Sequence, residues 1–295
     1  MGRKKVMEAV IMAGGLGSRL LPLTNAVSKH LIPVYDKPLI FYPIYNAMLA
    51  GIKKIHIICK PSDIQQIQHA LKFCEFLNIS FIEQEKPEGI AHGIRLVRPH
   101  IQSESFLFLL GDNIFIGPSI LKLMKKIQCF SENTVFGYSV TEPHKYGVAE
   151  ISREGAVIRI VEKPAEHIGD IALTGMYVYR SEVFQLCDQL QPSCRGELEI
   201  SDLNQKLLTR GKLDLQIIDP ENFWIDCGSP ERVFLASNFV RKHLSKTGKN
   251  IGCLEELAFK LGWFDEMNLQ KAAIDLSASD YGQYLLNLQN GSKFE

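Results

Sequence analysis

The strongest constraint on this chain is an alternation along its first third. Four short apolar, β-branched runs, Ala9–Met12, Ile55–Cys59, Ser80–Gln84 and Phe106–Leu110, read as strands. Two longer stretches with helical spacing stand among them, PLIFYPIYNAMLAGI at 38–52 and SDIQQIQHALKFCEFL at 62–77, the first closing at the C-capping Gly51. Strand, helix, strand is the βαβ unit of a parallel sheet, because parallel neighbours need a crossover that returns the chain to the same end. Ligands in such sheets bind beyond the carboxyl ends of the strands. GGLGSRLLPLT, which follows the first strand, therefore emerges where a binding site belongs.

From Thr134 the pattern shortens into alternating strands: Thr134–Val140, Val148–Ile151, Val157–Glu162 and Ala172–Tyr179, with SREG as a hairpin turn between the second and third. Two helices follow, one inside GELEISDLNQKLLTRG, then strands in LDLQIID and FWID. SPERVFLASNFVRKHL opens a helix with Ser229 as N-cap and Pro230 at its first position. The expected architecture is a three-layer α/β/α domain with a mixed, mostly parallel central sheet over residues 1–240. Residues 241–295 form a small helical part packed on that core.

The chain has 33 Lys and Arg against 33 Asp and Glu. No global field draws it to nucleic acid or an anionic membrane, so any anion site must be made by local groups. Seven cysteines lie scattered, without a C-x-x-C pair or a Cys/His cluster at zinc spacing, which predicts reduced thiols and a cytoplasmic protein. No apolar run reaches the ~20 residues of a membrane span, and the N-terminal apolar stretch, interrupted by Glu8, is too short for a signal peptide.

Gly14, Gly15 and Gly17 let backbone N–H groups approach an anion, and Arg19 adds a fork of donors for phosphate oxygens. The plainer alternative is a tight turn after a strand. A dinucleotide-binding turn would place a glycine at Leu20 and run its helix through Pro22; a P-loop would continue into Gly-Lys-Ser/Thr. Neither pattern is met. Asp112, in GDNIF, and Asp226, in FWIDCGSP, each follow a strand and singly read as turn or cap residues. As a pair from distant segments they suit Mg²⁺ on a nucleotide, which takes one or two carboxylates, waters and phosphate oxygens. In IVEKPAEH, Pro164 is expected to keep Lys163 extended at a strand end, beside Glu162.

Read with SKHLIPV, which contributes Lys29, the glycine segment resembles the signature of the sugar nucleotidyltransferases, and among them the glucose-1-phosphate thymidylyltransferases. GDN, EKP, RGELEISD, FWID, EELAFKLGW and YGQYL carry the resemblance down the chain. It implies transfer of a deoxythymidylyl group from dTTP to glucose 1-phosphate with Mg²⁺, the first step toward dTDP-rhamnose or another deoxysugar. A catalytically silent nucleotide-sugar binder and a uridylyl- or cytidylyltransferase are the alternatives. The resemblance gives the triphosphate to Gly14, Gly15, Gly17 and Arg19, the pyrophosphate or α-phosphate to Lys29, and the sugar phosphate to Lys163 and Arg195. It gives the metal to Asp112 and Asp226, the base to Gln84 and Gly89, and the sugar to Tyr146, Gly147, Glu162, Gly175, Glu197 and Trp224.

The chain departs from the family pattern at several positions. His92 and Gly93 stand where the family usually has Gln and Ala, and His30 stands where many members have Gln. The family's homotetramer and its second, regulatory site for dTDP-rhamnose are implied as well. There, Ile116, Gly117 and Pro118 replace a Y-G-H run, and Lys260 replaces an arginine. A lysine cannot copy a bidentate arginine contact, so weak or absent feedback inhibition is expected.

Overall fold

The computed structural model describes residues 7–291, with side chains through 288; positions 1–6 and 292–295, at the outer ends of the two expected parts, lie outside it. Strand β1 (Glu8–Ala13) leads through a 3-10 turn into the short helix α1 (Leu23–Ala26) and a small ribbon of β2 (Pro33–Val34) and β3 (Lys37–Pro38). There follow α2 (Phe41–Leu49), β4 (Lys54–Cys59), α3 (Pro61–Ala70), β5 (Asn78–Glu83), α4 (Ile90–Val97) and β6 (Ser105–Leu110). β6, β1, β4 and β5 lie side by side in that order, all parallel. Successive side chains of a strand point to opposite faces, and both faces of β1 are buried. Ala9, Ile11 and Ala13 join one apolar core with Ile44, Met48 and Ile67, while Val10 and Met12 join the other with Ile94 and Val97 of α4. Full burial of each Val or Ile contributes about 1.5–3 kcal/mol, which fixes the strand end from which the glycine segment leaves.

Next come β7 (Asn113–Ile116), α5 (Pro118–Lys126), β8 (Asn133–Ser139), β9 (Gly147–Ile151), β10 (Val157–Glu162) and β11 (Ile171–Arg180). β11 runs antiparallel to β6 and makes the sheet mixed. One edge of β11 pairs with β8 from Ile171 to Leu173 and, after a register shift, at Tyr177 and Val178; the other pairs with β9 at Ile171 and Ala172, then with β6 from Met176. The change of partner falls at Gly175, whose φ of 75° suits glycine and whose place a Cβ could not share with Leu110, 2.7 Å away. The fork so produced opens a space on the sheet's edge. After α6 (Val183–Cys187) and α7 (Ile200–Thr209), β12 (Leu213–Ile217) pairs parallel to β8. β13 (Phe223–Asp226) leaves the main sheet and pairs antiparallel with β7.

Helix α8 (Pro230–Thr247) carries the chain unbroken across position 240 and ends at Gly248 in the left-handed conformation. α9 (Leu254–Lys260) packs on α2, placing Leu254, Leu257 and Ala258 in the first core, and α10 (Glu266–Asp275) and α11 (Asp280–Gly291) pair beyond it. Buried Lys37 ties this region to the N-terminal ribbon: its Nζ donates to Asn250 Oδ1 at 2.5 Å and also bonds Asp36.

Several expectations are corrected. The stretch 62–77 is helical only to Ala70. Beyond it, Cys74 and Leu77 close successive turns onto Leu71 and Cys74, tucking apolar side chains under the sheet and turning the chain into β5. Ser229 occupies the N-cap position with extended backbone, yet its side chain caps nothing. α4, α5, β7 and the β2–β3 ribbon were not foreseen.

Candidate active site

Two adjoining cavities open at the carboxyl ends of β1, β5 and β6. The larger, ≈ 340 Å³, is walled by the glycine segment, Lys29, Gln84, Gly89 and Glu197. The smaller, ≈ 190 Å³, lies at the fork of β11 and is lined by Tyr146, Gly147, Glu162, Lys163, Gly175, Trp224 and Asp226. Arg19 and Asp112 belong to both walls and mark the seam between them.

On the larger side, Gly17 starts the 3-10 turn with φ 64°, a left-handed conformation that disfavours a side chain, and Lys29 and Thr24 leave no room for one. Gly14 lies against the side-chain oxygen of Gln84 so closely that a Cβ could not fit. Gln84 itself is 1% exposed, just past β5, with its backbone N–H bonded to Cys59 O at 2.8 Å. Gly93, one of the departures noted above, lets α4 approach β1, where the Met12 sulfur takes the space of the missing side chain.

The seam is electrostatically crowded. Lys29, 9% exposed, is ion-paired with Asp112. Burial would push the Asp112 carboxyl up, but the charge and hydrogen bond of Lys29, with His30 and Asn113, hold it at about 2. Asp226 is pushed the other way: burial and then the charge of Asp112 raise it, against Lys29, Arg19 and Arg232. The two carboxylates meet because β7 and β13 pair with Asn113 opposite Asp226, and Cys227 N–H donates to Asp112 O at 2.8 Å. A short relay orients the first of them: Trp224 Nε1–H donates to Asn113 Oδ1, and Asn113 Nδ2–H to Asp112 Oδ1, each at 2.8 Å. His30 lies behind Lys29, held down to about 4 by burial and by the Lys29 charge.

On the smaller side, Ser201 Oγ–H donates to Glu162 Oε2 at 2.6 Å, and Gly147 leaves the room this bond needs. Lys163 is not extended. It adopts φ 44°, because its N–H closes the β9–β10 end by donating to Tyr146 O at 2.9 Å while Pro164 disfavours the right-handed helical region. Its ammonium lies 3.7 Å from Glu162. Trp224 packs at a tilt against Tyr138 and Tyr146, with centroids 5.6 and 5.3 Å away.

Sixteen of the seventeen expected site residues thus line one continuous cleft. The exception is Arg195, exposed beside the cleft, whose guanidinium is forked onto the Glu199 carboxylate at 2.7 and 3.1 Å and lies 3.4 Å from Glu162. Residues absent from the expectation also take part. Arg232 donates to the Tyr146 hydroxyl and lies 3.4 Å from Asp226, and Gly228 packs under Arg19 and Asp226. An arginine one turn into a helix whose N-cap follows Asp226 was the available signal for the first.

A separate cavity of ≈ 360 Å³ is lined by Tyr45, Phe115, Gly117, Pro118, Glu256 and Lys260, among others. Lys260 is bonded to Glu256, whose other oxygen accepts from Tyr284 OH at 2.7 Å. Among the described residues no helix is long and apolar enough to cross a membrane, and no cluster of three or more His, Cys, Asp or Glu is placed to hold a metal.

Residues 8–243 match the family described as nucleotidyl transferase. The glucose-1-phosphate thymidylyltransferase of Mycobacterium tuberculosis is 38% identical over 284 residues, covering 96% of this chain and 99% of that protein. Its counterpart from Neisseria meningitidis is 39% identical over 285 residues with the same coverage. A crystal structure of a provisionally assigned glucose-1-phosphate thymidylyltransferase from Bacillus anthracis, in complex with sucrose, superposes with TM-score 0.73 at 33% identity, over 80% of this chain and 96% of that one. UDP-glucose pyrophosphorylase complexed with UDP-glucose gives 0.72 at 25% identity, over 80% and 99%.

Proposed function

The chain belongs to the nucleotidyl transferase family, and from that premise we propose that it transfers a deoxythymidylyl group from dTTP to glucose 1-phosphate, releasing pyrophosphate and dTDP-glucose. The observation that carries the reading is the meeting of Arg19, Lys29, Lys163, Asp112 and Asp226 in one cleft with two lobes. Its full-length likeness to named thymidylyltransferases gives the substrates.

Both reactants are polyanions, so the obstacle is repulsion and alignment rather than proton transfer. The attacking phosphate oxygen carries no proton at neutral pH, so no general base is required. The triphosphate lies along the backbone N–H groups of Gly14, Gly15 and Gly17, with Lys29 beside it. The sugar phosphate sits at Lys163 in the smaller lobe, its sugar against Glu162, Tyr146, Gly147, Gly175 and Trp224, with Glu197 on the wall of the larger lobe. Arg195 acts through Glu162, which it helps to hold. Arg19, at the seam, is the cation nearest the point where the two phosphates meet.

Asp112 and Asp226 suit a divalent metal: both are half-buried, and the charge of Asp112 raises the cost of charging Asp226, a surplus of negative density that a cation relieves. Mg²⁺ held there would neutralise charge on the phosphate oxygens. The unpaired cysteines agree with a reducing, cytoplasmic setting. The third cavity corresponds to the family's regulatory site, where Lys260, engaged by Glu256, gives dTDP-rhamnose a poorer partner than an arginine fork; a homotetramer is the matching assembly.

Pyrophosphate release from dTTP, glucose 1-phosphate and Mg²⁺ tests the proposal. Appearance of dTDP-glucose is expected. Binding without turnover would make the chain a silent nucleotide-sugar binder. Equal or better turnover with UTP would replace thymidylyl by uridylyl transfer, the reading favoured by the likeness to UDP-glucose pyrophosphorylase.

A further inference from the structure

Gln84 is a buried primary amide with one end fully used and the other unmatched. Its Nε2 donates to Gly89 O at 3.3 Å and to His92 Nδ1 at 3.2 Å, which takes both of its protons. Its Oε1, against Gly14 in the wall of the nucleotide cavity, has no hydrogen-bond partner. A buried carbonyl oxygen left so is expensive, which marks it as a group awaiting a donor.

Which atom faces Gly14 is decided by the neighbours. Gly89 O can only accept, so it calls for Nε2 at its side. His92 Nδ1 accepts only when the ring proton is on Nε2, and the Glu88 carboxylate 3.5 Å from His92 Nε2 draws the proton there. Two acceptors on one side of the amide therefore pin Oε1 toward the glycine segment. We infer that His92 is a specificity-positioning residue: by accepting from Gln84 it fixes the amide so that the site offers the nucleobase an acceptor, selecting bases with a ring N–H, the imide of thymine or uracil, over cytosine, whose ring nitrogen carries a lone pair.

This rests on Gln84 reading the base, as the family resemblance implies. It goes further in giving His92, a departure from the family pattern, a defined task. His92 does not meet the base; its effect passes through Gln84. The side chain is 18% exposed on the first turns of α4, so thermal stability is followed alongside binding.

The test compares binding of dTTP and dCTP to the full chain by titration calorimetry, with kcat and KM for dTTP. His92→Phe keeps a flat ring but removes the acceptor; His92→Asn restores one through Oδ1 near the position of Nδ1. His92→Phe is expected to raise the KM for dTTP and narrow the dTTP-over-dCTP preference by about tenfold, with kcat held, and His92→Asn to return the preference. If His92→Phe keeps the preference while Gln84→Ala loses it, His92 has no such role and Gln84 still reads the base. If neither variant changes the preference, the base does not meet Gln84 and both readings fall. Equal loss in His92→Phe and His92→Asn, with thermal stability unchanged, would also overturn the assignment of an acceptor role.

Discussion

Gly228 offers a way to disturb the chemistry without disturbing the fold. It is buried between Asp226 and α8, outside the left-handed region, so alanine is conformationally acceptable. An added Cβ would nevertheless stand 2.7 Å from Asp226 Oδ1 and 3.0 Å from Arg19 Cζ, and closer still to an Arg19 terminal nitrogen. Real Cβ atoms do not make such contacts, so something must move. Arg19 is exposed and leaves most easily; Asp226 has less freedom, since Arg232 lies against its other oxygen. The methyl group therefore displaces the cation at the seam and shifts one of the two carboxylates.

Removing one aimed charge of this kind costs about 2.7–4 kcal/mol in the transition state, a hundredfold to thousandfold in turnover. The stability change is small by comparison: restricting the unfolded chain gains about 0.4–1 kcal/mol, which local crowding offsets. Gly228→Ala is thus expected to melt within a few degrees of the parent chain and to release pyrophosphate at least a hundredfold more slowly. Repeating it in an Arg19→Ala background isolates the route, because two changes acting through one group do not add. Parental turnover in Gly228→Ala would refute the placement of Arg19 and Asp226 in the reaction. Full additivity with Arg19→Ala would show that the methyl acts elsewhere.

Lys163→Ala is expected to lower turnover about a hundredfold with the KM for dTTP little changed; steady-state kinetics in both substrates checks it, and an effect confined to dTTP would move Lys163 to the other lobe. His30 makes stability fall on acidification. The unfolded imidazole takes its proton near 6.5 and the folded one near 4, so the stabilisation present above 6.5 is lost as pH falls toward 4, by roughly 3 kcal/mol. Urea unfolding across that range should show the slope, and His30→Gln should flatten it. Saturating dTDP-rhamnose should leave the rate within about twofold of the uninhibited value, and Lys260→Arg should restore sensitivity; strong inhibition of the parent chain would contradict the weakening.

The parallel core was legible because its strands announce themselves locally: β1, β4 and β6 each send apolar side chains into both cores, and a strand buried twice needs helices on each side. The glycine segment was legible for a similar reason, being a short-range pattern at a strand's end. The signal for α4 is local too, since Ile90, Ala91, Ile94 and Val97 recur at helical spacing. Lys163 shows the limit of a local rule. The proline after it excludes one conformation, and a hydrogen bond to Tyr146, just before β9, chooses between the rest. Arg195 shows another limit, for a motif names a residue but not whether Glu199, four positions on, has already engaged it.

The two aspartates proposed to hold a metal illustrate why function was clearer than geometry. Asp112 and Asp226 could each be named from a motif, yet what makes them a site is a ribbon joining segments 111 residues apart, as measured by the Trp224–Asn113 bond. Folding brings two carboxylates together against their repulsion, and the chain tolerates this because Lys29, Arg232 and Arg19 flank them. Those basic groups lower the cost without cancelling it: Asp112 is held fully charged while Asp226 remains pushed upward. The structure thus keeps one firm anion and one reluctant anion beside a cluster of cations. In the proposed reaction, a nucleotide bringing its own metal would resolve both halves of that arrangement, its phosphates drawing the lysine and arginines and its cation meeting the aspartates.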